Sequence, residues 1–117
     1  MRPNLTFPHF EHYGLECRIS TNALGCFCGH IAIEKGCLLY GENYMNIVGL
    51  SVHGGITYGE IENDKKYWIG FDCSHITDFI PMFQERGRIW TYDQVVAETK
   101  CLAEQVANLI TQPKTVV

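Results

Sequence analysis

Two short stretches of the chain hold more imidazole, carboxylate, hydroxyl and ring chemistry than folding demands: Val52-His53-Gly54-Gly55-Ile56-Thr57-Tyr58 and Trp68-Ile69-Gly70-Phe71-Asp72-Cys73-Ser74-His75. Between them lies a polar turn, Glu62-Asn63-Asp64-Lys65-Lys66, flanked by β-prone residues, which is a hairpin signal. Pairing Ile61 with Tyr67 across that turn sets His53 opposite His75 and Thr57 opposite Phe71, so two imidazoles meet at one strand end. A bulge at Gly54-Gly55 would move everything before it to the opposite face. Asp72 shares a face with His75 only if the Asp72-Cys73-Ser74-His75 turn holds an extra residue. His53, Asp72 and His75 are therefore the candidate cluster, with the register open at both ends.

The cluster admits several chemistries. As a metal-free pair, His53 and His75 would act as general base and acid on a phosphodiester, because an imidazole with a pKa of about 6.5 offers both protonation states near neutrality. With Asp72 they would instead hold a divalent metal that activates water. As a binding site, Gly54 and Gly55 would let a phosphate or carboxylate approach the backbone amides, with Thr57 donating to the same oxygen. Asp72 would accept from a ribose hydroxyl or a base amine, and Trp68, Tyr58 or Tyr40 would stack on a base. A nucleophilic Cys73 ranks last, since an adjacent carboxylate raises a thiol pKa and no helix N-terminus is evident to lower it. Each feature also has a plain structural explanation: paired glycines curve a sheet, and a buried histidine is commonly a hydrogen-bonded core residue. Binding asks for less stringent geometry than catalysis, so binding leads, with no cofactor required.

These residues need a scaffold, and the sequence points to an α+β domain: an antiparallel sheet packed against a long C-terminal helix. Residues 1–20, with Pro3 and Pro8 as breakers, read as irregular or weakly extended, and residues 25–75 as the β-rich core. Cys26 to Ile33 reads as a strand with Gly29 as a bulge or a point of close backbone approach. Glu34 to Tyr44 reads as a loop, followed by Asn46 to Val52, the Gly54-Gly55 break, Ile56 to Ile61, the turn, and Tyr67 to Phe71. The helix spans about 91–111. Thr91 and Gln94 form a capping box, and Val95, Thr99, Leu102, Val106 and Leu109, with Val96, Ala103 and Ile110, repeat as one apolar stripe that faces the sheet. Pro113 limits further extension.

Composition narrows the class. At 117 residues the chain is long enough for a single domain that buries roughly two-thirds of its extended surface. A net charge of -4 argues against a DNA-coating protein, and no apolar run approaches the ~18 residues of a membrane span. The polar, Pro-broken first stretch lacks a secretory signal core, so the expected location is cytoplasmic. The six cysteines are then expected to be reduced and mostly buried. Zinc on Cys17, Cys26, Cys28 and Cys37 is not expected, because Cys26-Phe27-Cys28 is too tight for a zinc knuckle. A domain of this size has little depth for a pocket and gains one at a subunit interface, so a homo-oligomer is plausible.

The string from Val52 to Tyr58, and that from Tyr67 to His75 with Asp78 beyond, resemble a family of small phage and prophage proteins. Its members carry V-H-G-G-L-T-[YF] and W-[FI]-G-F-D-C-[AS]-H-x-x-D motifs. Gly29 to Ile33, Gly36 and Leu39-Tyr40-Gly41 echo its upstream segments, and Tyr92 to Thr99 with Leu102 to Gln105 its closing helix, so the similarity spans about residues 25–107. Cys37 and Leu38 replace a His-Pro pair of the family, so no loop imidazole is carried over. The resemblance implies a phage origin and, by analogy of class, a counter-defence protein in the cytoplasm of the infected bacterium. Such a protein would sequester a small nucleotide-derived immune messenger of the cyclic nucleotide or ADP-ribose type. A hydrolase of that messenger, using His53 and His75 with Asp72, is the first alternative. An inhibitor that contacts a host defence enzyme through Phe7, Phe10, Tyr13, Met82 and Phe83 is the second.

Overall fold

The computed structural model describes residues 4–81 and 83–111; Pro3, Met82 and Pro113 lie outside them. Five antiparallel strands form one sheet in the order β1-β2-β3-β5-β4: β1 (Phe10–His12), β2 (Leu15–Thr21), β3 (Phe27–Ile33), β4 (Tyr58–Ile61) and β5 (Tyr67–Asp72). One helix, α1 (Tyr92–Ile110), covers one face of the sheet. The α+β expectation holds, and the helix carries the expected cap: the Thr91 hydroxyl accepts from the Gln94 N–H at 3.2 Å while the Gln94 side chain accepts from the Thr91 N–H at 3.0 Å.

The N-terminal stretch is a correction, because β1 and most of β2 fall inside the segment read as irregular. The cause is a period-two pattern in Leu15-Glu16-Cys17-Arg18-Ile19-Ser20, whose apolar members are buried against the helix and whose polar members face the other way. The core between sheet and helix consists of Leu15, Cys17, Ile19, Ile31, Ile33, Tyr67, Ile69 and Phe71 against Val95, Leu102, Ala103 and Val106. Gly29 sits where helix and sheet come closest: a Cβ there would lie 2.1 Å from the Thr99 Oγ1. Its register with Ile19 and Phe71 is continuous, so it is the close-approach glycine and not a bulge.

Two long connections leave this frame from opposite ends, and the first returns to it at the end where the second begins. The first, residues 34–57, runs from β3 to the edge strand β4 and contains only a short 3-10 turn, Tyr44–Asn46, so Asn46 to Val52 is not a strand. Gly49, with φ of 87°, breaks any extended run there. This connection is fastened to the helix: Gln105 donates to the Ser51 carbonyl at 2.8 Å and accepts from the Ser51 N–H at 2.7 Å. The second connection, residues 73–91, leads from β5 to the helix. Connections of this length without regular structure commonly carry function.

Candidate functional site

The β4–β5 ladder has the expected register, Ile61 with Tyr67 through Tyr58 with Gly70, but it stops at Tyr58. Thr57 still donates its N–H to the Gly70 carbonyl at 2.9 Å, after which the chain turns away through Gly55 and Gly54, whose φ values are 81° and 70°. On the other side, the Asp72 Oδ1 accepts from the Ser74 N–H at 3.0 Å and the Ser74 hydroxyl at 2.7 Å, a side-chain turn that reverses the strand. His53 and His75 therefore meet outside any ladder, with ring centroids 5.3 Å apart and planes at 74°. The Asp72 turn also delivers the approach that an unbroken strand would forbid: the His75 Nε2 lies 3.6 Å from the Asp72 Oδ1. The Thr57 hydroxyl donates to the Asp72 Oδ2 at 2.8 Å, so its side chain is turned to the carboxylate and does not oppose Phe71.

The residue that organises the site is Asp78, which is fully buried. Its Oδ2 accepts from the His53 Nε2 at 2.8 Å and from the His75 N–H at 3.0 Å, and its Oδ1 accepts from the Trp90 Nε1 at 3.1 Å. Burial alone would raise its carboxyl pKa; these three donors, the His53 ring first, outweigh burial and hold it below the ordinary carboxylate value. Asp72 is held low in the same way, by the Ser74 and Thr57 hydroxyls against burial. Each imidazole thus has its own carboxylate, His53 with Asp78 and His75 with Asp72. Sequence reasoning placed Asp78 only in a motif beyond His75. The available signal was the His75-x-x-Asp78 spacing, which closes a turn through the Asp78 N–H to the His75 carbonyl at 2.8 Å.

The glycines act differently from a phosphate cradle. A Cβ at Gly54 would sit 1.9 Å from the His75 Nε2, so this position is glycine because the imidazole occupies the space. The Gly55 N–H is spent on the Val52 carbonyl at 2.9 Å. The aromatic residues named as stacking candidates are also elsewhere. Trp68 is 1% exposed, with the Arg18 guanidinium 4.1 Å over its ring and its Nε1 donating to Asp64 at 3.0 Å. Tyr58 packs edge-on against His30 and donates its hydroxyl to Glu62, while Tyr40 donates to the Lys65 carbonyl at the far end of the hairpin. The ring that does touch the cluster is Trp90, 4.6 Å from His53, with the Arg88 guanidinium 3.6 Å over it. Burial pushes the Cys73 thiol strongly up, and Asp78 adds to this, so it is no nucleophile.

Beside Trp90 and Cys73 lies an apolar cavity of about 140 Å³, also lined by Phe27, Phe79 and Ile89, which is too small for a nucleotide. Larger and more open depressions lie at Ile76 with Gln84 to Gly87 and at Gly41 to Met45 with Gly59 to Ile61, while His53 and His75 keep 18% and 27% of their side-chain surface. Among the described residues, His53, His75 and Asp78 are the group of metal-capable side chains whose donor atoms converge, all within 4.8 Å of one another; the four cysteines considered for zinc form no such group. Of the aromatic residues named for a protein contact, Tyr13 and Phe83 are well exposed, but Phe7 and Phe10 pack against the core.

The sheet face away from the helix has its own polar layer: Arg18 makes two bonds to Glu62 at 2.7 and 2.6 Å, and His30 lies buried beneath Tyr58 with its Nδ1 unbonded. Burial first, then the Arg18 charge, push the His30 pKa down to about 4. The unfolded chain therefore takes up a proton near pH 6.5 that the folded chain refuses until about pH 4, so stability is complete above that window and falls as pH drops through it. Between pH 6.5 and 4.5 the loss should be about 2–3 kcal/mol. Urea midpoints of wild type and His30→Leu across that range measure it. The variant should lack this share of the acid sensitivity, and equal slopes would contradict it.

Comparison with known proteins finds no match: no family model fits the chain, and no curated protein or solved structure is significantly similar to it. None of the described helices is long and apolar enough to cross a membrane.

Proposed function

We propose that this chain binds a small phosphate-bearing, nucleotide-type ligand across the lip formed by His53, Thr57, Asp72 and His75. Following the phage resemblance of the two motifs, its role is to sequester a cyclic nucleotide or ADP-ribose type immune messenger. The observation that carries the reading is the convergence of two partly exposed imidazoles from two different loops, each beside a carboxylate. Imidazoles can donate to phosphate oxygens, and Asp72 can accept from a ribose hydroxyl. The chain lacks a broad basic field, so an anion must be held by local groups of this kind.

Native mass spectrometry and calorimetry against cyclic mononucleotides, cyclic dinucleotides and ADP-ribose derivatives test this. One member should bind at micromolar affinity or tighter, and His53→Ala or Asp72→Ala should each weaken it about 10–100-fold, the size expected for a charge-assisted hydrogen bond. No binding by any member contradicts the reading.

A second reading, hydrolysis of the same ligand, is favoured by the carboxylate behind each imidazole. The His53–Asp78 contact orients one ring, and the Asp72 carboxylate lies 3.6 Å from the His75 Nε2, an arrangement an acid–base pair can use. Recovery of intact ligand after long incubation, with and without divalent ions, rules it out. Light scattering of the ligand complex shows whether a second copy closes over the lip.

A further inference from the structure

We propose that His53, His75 and Asp78 together bind one divalent transition-metal ion, with zinc the best match to the donor set. Three observations converge. One donor atom from each of these side chains lies within 4.8 Å of the other two. The His75 Nε2 is buried from solvent yet has no hydrogen-bond partner, and its distance of 3.6 Å to the Asp72 Oδ1 is too long for one. A buried ring nitrogen without a partner carries a desolvation cost that a bound cation removes. The chain also turns at Gly54, where any Cβ would collide with that same nitrogen.

The donor set selects the ion. Two imidazoles and one carboxylate suit zinc and its neighbours in the first transition row, whereas magnesium and calcium prefer all-oxygen shells. Three protein ligands leave a coordination position open to water or to a ligand oxygen, as in catalytic zinc sites. Asp78 has the outer support that metal-binding carboxylates commonly show, since the Trp90 Nε1 and the His75 N–H fix its orientation. Tetrahedral zinc bonds of ~2.0–2.1 Å place ligand atoms about 3.3 Å apart, so the widest gap in the group must close on loading. Both imidazoles stand on loops and not in the ladder, which leaves them free to do so. The ion would give this acidic chain the local positive charge that a phosphate needs. That last point depends on the nucleotide reading; the metal site does not.

The full chain, stripped with a chelator, re-equilibrated with zinc alone and freed of excess, is the material for the test. Elemental analysis and native mass spectrometry should find one zinc per chain. His75→Ala should weaken zinc binding at least 100-fold while circular dichroism shows the fold intact, and Asp72→Asn should retain the ion. Cobalt in place of zinc should give the visible absorption of a low-symmetry site, absent in His75→Ala. Substoichiometric zinc in the wild type overturns the proposal, as does full zinc retention in a His53→Ala/His75→Ala double variant. Zinc bound at one per chain with no nucleotide binding supports the metal site and counts against the proposed function alone.

Discussion

Replacing Asp78 with Ala should destabilise the fold by about 3–5 kcal/mol, because removing one partner of a buried, multiply bonded charge leaves the others unpaired. Three donors are stranded at once: the His53 ring, the His75 amide and the Trp90 indole. The Trp90 indole is buried with the carboxylate, and together the three donors tie the 73–91 connection to the turn that carries His53. Urea denaturation gives the loss, and near-ultraviolet circular dichroism should show Trp90 released from its fixed environment. Asp78→Asn keeps the volume and one acceptor oxygen, so it should lose less. Its deficit should also shrink in acid, since the wild-type carboxylate's contribution is complete above its unfolded pKa of 3.8 and is lost as pH falls through the lower folded value. A change below about 1 kcal/mol in Asp78→Ala would mean that the carboxylate does not hold the site together.

Gly29→Ala should cost about 3 kcal/mol for a different reason, the overpacking of a contact with no slack. The new Cβ would lie 2.1 Å from the Thr99 Oγ1 and 2.7 Å from the Phe71 ring. The Thr99 hydroxyl cannot simply swing aside, since it donates to the Val95 carbonyl at 2.7 Å and the residue is fully buried. The helix must lift from β3, and the loss spreads along the Val95, Leu102 and Val106 interface. Adding Thr99→Ala should recover part of the stability by removing the nearest colliding atom. A destabilised single variant with a partly restored double variant is the expected pattern in urea midpoints. A single variant within 0.5 kcal/mol of wild type would contradict the close approach.

The elements that depend on periodicity were readable from residues alone. Thr91 and Gln94 announce the helix start, and Val95, Thr99, Leu102 and Val106 announce its buried face, because a local repeat encodes both. The hairpin register followed from one polar turn. The strand Leu15–Thr21 is equally periodic, but two prolines and the polar residues interspersed before it mask the alternation. The site was readable only in part. His53 and His75 were placed together by a ladder argument that holds for Tyr58 to Ile61 and no further, and they meet because two irregular connections converge. Such convergence depends on contacts distant in sequence, such as Gln105 on Ser51 and Trp90 on Asp78, which no local pattern encodes. Trp68 looked like a stacking surface because its burial beneath Arg18 is likewise a tertiary fact. Gly54 looked like an anion cradle, and its purpose became visible only once His75 was seen against it.

The central claim is that His53 and His75 belong to one ligand site, and the five imidazoles of the chain offer a direct way to test it. Long-range proton–nitrogen NMR on labelled protein, titrated with a cyclic dinucleotide and separately with ADP-ribose, reports each ring individually. One of these ligands should move the His53 and His75 signals together with a common dissociation constant, while His9, His12 and the buried His30 stay unchanged. Unmoved His53 and His75 signals at saturating ligand, or a response confined to the other three rings, would contradict a shared site at this lip.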